Sequence, residues 1–214
     1  MEEADIKQLW HAYDLKLEQS LQLNQKIICE LQAQKAENNI GAFRRQQIAG
    51  LVLGILWITV LLFFAFYARA NLYFAGSIGL IAVFNIFAVA SYIRHLSLLN
   101  GVNITGNVTD AQQRLAAIQT SLSNTSRIMI LQTPLWCIFW YNQDLVRHAG
   151  IQFWVINLSV VTVFVISSIY LYKKLSYKNI HIKWVKAFNE NLGGKRLAKA
   201  MEFLKEIDEY KRES

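Results

Sequence analysis

The sequence predicts an all-α integral membrane protein, with four transmembrane helices whose extensions form a cytoplasmic bundle. Three observations predict it. Of 214 residues, 54% are hydrophobic and one is proline. Charged residues make up 17%, against roughly 25% in soluble globular chains. The charges avoid long stretches altogether: residues 48–68, 72–93 and 151–172 contain none. Each stretch approaches the roughly 20 apolar residues that cross a hydrocarbon core as a helix.

The elements follow in order. Residues 1–45 contain no proline and no glycine before Gly41, and their apolar positions Ile6, Leu9, Trp10, Tyr13, Leu17, Leu21, Ile28 and Leu31 recur at helical spacing. This predicts a water-exposed amphipathic helix, uninterrupted up to Gly41. A signal peptide is not expected there, because an unbroken apolar core is lacking. Spans are then expected at about 48–68 and 72–93. The second continues past Arg94 into a helical cytoplasmic hairpin over 95–126. The stretch "GVNITGNVTD" supplies its turn, with Thr109 or Asp110 as the expected cap of the returning helix and Leu115, Ile118 and Leu122 on its apolar face.

A shorter apolar run begins at Ile128 and extends to about Leu145, with Pro134 inside it. It is read as span three, and a re-entrant or interfacial segment is the alternative. Span four is 151–172. Beyond it, 173–214 divides into a basic, aromatic interfacial segment containing Lys173, Lys174, Lys178, Lys183 and Trp184, a break at Gly193 and Gly194, and a closing amphipathic helix with Leu197, Met201, Leu204 and Ile207 on one face.

Charge sets the orientation. With four spans, six basic residues of the N-terminal tail, three of the middle loop and eleven of the C-terminal tail lie on one side. These are twenty of the 22 Lys and Arg, leaving Arg69 and Arg147 on the other side. The positive-inside rule then makes both termini cytoplasmic. Topology accounts for most of the net charge of +7, so no nucleic-acid partner is expected. The sequons at Asn103, Asn107 and Asn124 fall in the cytoplasmic middle loop and are expected to be idle.

No catalytic motif is present, and no cofactor or enzymatic activity is expected. Cys29 and Cys137 read as packing residues. Asp144 and His148, four apart, make at most half of a metal site. The spans carry no charge in their interiors, where the amides Asn85, Gln132 and Asn157 predict hydrogen bonds between helices. A polar path through a small channel or transporter is the alternative use of these three. Gly50 and Gly54 form a GxxxG pair that lets two helix backbones approach, within the monomer or across a homodimer. A purely structural homo-oligomer is the corresponding functional alternative.

From Leu9-Trp10 near its start to "AMEFLKEIDEY" near its end, the sequence resembles, over nearly its whole length, a family of small bacterial inner-membrane proteins common in Bacteroidota. The residues that carry the resemblance are Leu9-Trp10, Tyr13-Asp14, Lys16-Leu17, the following "SLQLNQKI" and the closing "AMEFLKEIDEY" of 200–210. Members are often encoded beside extracytoplasmic-function sigma factors. The resemblance implies a membrane-tethered, anti-sigma-like regulator, although this chain has no His/Cys zinc motif of the kind many anti-sigma domains carry. The expected function is a non-enzymatic scaffold or signalling regulator that binds a cytoplasmic protein, such as a sigma factor, through its tails. Leu9, Trp10, Tyr13 and Leu17 are expected to make that contact, helped by Met201, Leu204 and Ile207.

Overall fold

A computed structural model describes residues 2–104, 107–176 and 179–213, and no strand occurs among them. The first helix, α1 (Glu2–Tyr67), is 66 residues long, or about 100 Å at 1.5 Å per residue. Gly41 does not interrupt it. One glycine costs a helix only about 1 kcal/mol relative to alanine, too little to stop a helix supported on both sides.

A tight turn leads into α2 (Leu72–Asn100), capped by the Asn71 side chain, which accepts from the Phe74 N–H at 3.3 Å. Thus α2 runs past Arg94 as the sequence predicts. Asn107, rather than Thr109 or Asp110, caps α3 (Val108–Ile130) by accepting from the Asp110 N–H at 3.2 Å. Then come α4 (Leu135–Ile138), α5 (Gln143–His148), α6 (Ile151–Lys174), α7 (Lys183–Asn189) and α8 (Lys195–Glu213).

Residues 128–145, expected as a continuous span, are broken. Three helices, α1, α2 and α6, are long and apolar enough to cross a membrane. The break has a local cause. Pro134 has no N–H for the Ile130 carbonyl four residues earlier. That carbonyl instead accepts from the Thr133 N–H at 3.1 Å and the Thr133 hydroxyl at 2.8 Å. From Leu131 to Cys137 the hydrogen bonds mostly span three residues, which stretches the chain to about 2.0 Å per residue.

The broken segment nevertheless lies alongside its neighbours from end to end. The Arg127 Nε donates to the Tyr172 carbonyl at 2.8 Å at one end. Asn71 Nδ2 donates to the Tyr141 carbonyl at 2.8 Å, and the Tyr141 hydroxyl donates to Asn157 Oδ1, at the other. Leu61 on α1, Ile78, Ile81 and Ala82 on α2, and Leu135 and Phe139 pack together between these ends.

The other half of the molecule is a bundle of α1, α2, α3 and α8. Its core contains Phe43, Leu99, Leu115, Ile118, Leu197 and Leu204, all at most 5% exposed. The leucines and isoleucine of α3 and α8 stand at the spacings read from the sequence. Before α8 the chain turns at Gly193, whose φ of +103° is a left-handed conformation that glycine takes without steric cost. A Cβ there would also stand 3.0 Å from the Phe43 ring.

The helices α1 and α8 are antiparallel and in even register. Arg196 donates to the Ala42 carbonyl, Lys35 lies over the Phe203 ring, and Gln32 donates to Glu206. Each step forward along α8 matches one step back along α1. The last described residue, Glu213, therefore falls opposite Gln25, and α1 continues beyond it.

Candidate docking face and interhelical contacts

Every residue from Lys7 to Asn24 is exposed. Within this overhang Leu9, Trp10, Tyr13 and Leu17 are 58%, 68%, 69% and 60% exposed. They follow one another at helical spacing, so the helix presents them as one apolar stripe. Leu21 continues it at 55% exposure. No described residue of the chain covers this face.

The other three residues expected in the same contact lie elsewhere. Leu204 and Ile207 are buried in the bundle core, and Met201 packs against it. They face the α1 and α3 side chains, beyond reach of the Leu9 stripe. The even register explains this separation: the described part of α8 lies opposite Gln25 and the α1 residues after it, and not opposite residues 7–24.

Gly50 and Gly54 both face α2. A Cβ on Gly50 would meet the Tyr92 ring at 3.2 Å, and one on Gly54 would meet Val89 Cγ2 at 2.8 Å. The GxxxG pair thus closes the α1–α2 hairpin inside one chain. Asn85 Nδ2 donates to Gln132 Oε1 at 3.3 Å and to the Ile81 carbonyl at 2.8 Å. Asn157 instead takes its bond from Tyr141. Two of the three span amides meet each other, and the third pairs near the opposite end.

At the end of α6, Lys173 is exposed and Lys174 lies over the Tyr170 ring at 6.0 Å. Lys183 and Trp184 open α7, both exposed, whereas Lys178 lies outside the described residues. His148 bonds through Nδ1 to the Asp144 carbonyl at 3.0 Å. No group of three metal-ligating side chains occurs among the described residues.

Two features escaped the reading of the sequence. His95 is fully buried and bonds through Nδ1 to Gln47 Oε1 at 3.1 Å, while its Nε2 has no partner. Burial first, and the nearby Arg94 charge second, lower its pKa from 6.5 to about 4. The signal was present: His95 continues the buried line of Ile81 and Ala88 at seven-residue steps. The second is Arg127, which bonds across to the Tyr172 carbonyl of α6 and within α3 to Asn124.

These features define a helical membrane protein with an attached helical bundle and an overhanging amphipathic helix. Comparison with protein-family models, with curated proteins and with solved structures finds no match.

Proposed function

We propose that the protein is a non-enzymatic inner-membrane adaptor that holds an amphipathic helix in the cytoplasm for a soluble regulatory protein. Four crossings anchor it, with α1, α2 and α6 joined by the broken 128–141 segment, and both termini are cytoplasmic. The bonds at the two ends of that segment support the fourth crossing. So does the double satisfaction of the Ile130 carbonyl, since irregular backbone at membrane depth requires its polar groups to be satisfied by protein. The distribution of Lys and Arg supports the orientation.

One observation carries the functional reading: Leu9, Trp10, Tyr13 and Leu17 form an apolar stripe on α1, outside the part that packs on α8, which no described residue covers. Such a stripe suits an amphipathic helix of a partner, with aromatic anchors at its centre. The family resemblance favours a sigma factor among such partners. The test is purification of the full-length protein from its native membranes beside the Trp10→Ala/Tyr13→Ala variant. A soluble protein recovered in fixed proportion with the wild type and lost from the variant supports the adaptor. Equal recovery from both, or recovery of no soluble protein, overturns it.

A further inference from the structure

Where the uncharged runs of α2 and α6 give way to charged residues, α2, α3 and the end of α6 border a groove of about 670 Å³. Its apolar side includes Phe87 and Ile128; its polar side includes Arg94, Ser121, Asn124 and Arg127. No Asp or Glu lines it among the described residues.

Arg127 is held in place before any ligand arrives. Its Nε donates to the Tyr172 carbonyl at 2.8 Å, its Nη1 donates to Asn124 Oδ1 at 3.2 Å, and its guanidinium lies 4.5 Å from the Tyr172 ring centre. A guanidinium has five N–H donors in a rigid fork, so the Nη2 pair is uncommitted. Arg94 is exposed and, like Arg127, has no ion pair among the described residues.

The remaining polar groups sharpen the chemistry. The Thr120 and Thr125 hydroxyls donate to the Ala116 and Ser121 carbonyls. Among the described residues the uncommitted donors are therefore the Arg94 guanidinium, the Arg127 Nη2, the Ser121 hydroxyl and the Asn124 Nδ2. One held and one free guanidinium, with neutral donors and no carboxylate among the described lining residues, match a phosphate, which guanidinium binds through paired, charge-assisted hydrogen bonds. Directly beside them, Val83, Ile86 and Phe87 leave an exposed apolar face on α2.

We propose that this groove binds the phosphate of an anionic phospholipid, with Arg94 and Arg127 on the phosphate and an acyl chain along Val83, Ile86 and Phe87. A soluble phosphate shares the headgroup chemistry but has nothing to place on the apolar face. The discriminating experiment is native mass spectrometry of the full-length protein in an uncharged maltoside detergent, titrated with phosphatidylglycerol or with inorganic phosphate. The wild type should retain one phosphatidylglycerol, and Arg94→Gln and Arg127→Gln should each weaken retention about tenfold, the loss expected for one charge-assisted hydrogen bond. Lys26→Gln, at an exposed position of α1 away from the groove, should leave it unchanged. Because Arg94 makes no bond among the described residues, its variant reads binding even if Arg127→Gln perturbs the fold. Retention unaffected by Arg94→Gln, or release of the lipid by millimolar inorganic phosphate, overturns the proposal.

Discussion

Gly54 on α1 lies so close to Val89 on α2 that a Cβ on the glycine would stand 2.8 Å from Val89 Cγ2. The close approach belongs to one chain, so substitution should disturb folding and leave the oligomeric state unchanged. Gly54→Leu should cost about 1–3 kcal/mol by overpacking. Denaturant unfolding in mixed micelles measures this, and crosslinking before unfolding reads the oligomer. Gly50→Ala should cost less, because its neighbour is the Tyr92 ring at 3.2 Å, which can give by a few tenths of an ångström.

The bundle and the overhang should respond oppositely to truncation. Leu204 is fully buried, so Leu204→Ala should destabilise the bundle by about 2–5 kcal/mol. Trp10 is 68% exposed, so Trp10→Ala should change stability by no more than about 0.5 kcal/mol. Thermal unfolding followed by circular dichroism separates the two. A loss at Trp10 comparable with that at Leu204 would mean that the stripe is covered within the chain.

His95 makes the bundle sensitive to acid. Its folded pKa of about 4 lies below its ordinary value of 6.5, so the unfolded state takes up the proton first as pH falls. The stabilising effect of a neutral, buried His95 is complete above about pH 6.5 and declines toward pH 4. The loss across that window is about 3 kcal/mol, from 1.36 kcal/mol per pKa unit. Melting temperatures at pH 7.5, 5.5 and 4.5 should fall more steeply for the wild type than for His95→Gln. Parallel slopes would remove His95 from the acid response.

The Asn85–Gln132 bond joins α2 to the broken segment and should be worth about 1 kcal/mol. A double-mutant cycle with Asn85→Leu and Gln132→Leu reads this coupling directly. The corresponding cycle between Asn85 and Asn157 should show none, because Asn157 bonds to Tyr141 instead.

Much of the fold is legible in the residues themselves. Uncharged runs mark α1, α2 and α6, and Leu115, Ile118 and Leu122 announce the buried face of α3 because a 3.6-residue period leaves few other choices. Pro134 announced a disturbance without its extent: whether a helix kinks or loosens depends on what else donates to the Ile130 carbonyl, and Thr133 decides that locally. The separation of Leu9 from Leu204 was not legible. Both belong to stripes of similar character, and only the α1–α8 register determines which of them finds a partner. His95 was hidden for another reason. A buried neutral histidine needs Gln47 opposite it, and nothing local pairs residues 48 apart.

The most direct test of the adaptor is a photo-crosslinking amino acid at position 10 of the full-length protein, activated in living cells. Trp10 faces outward on the overhang, so the predicted product joins the membrane protein to one soluble cytoplasmic protein and disappears when Tyr13 and Leu17 become alanine. Crosslinks only within the chain, to a second copy or to lipid would contradict the account.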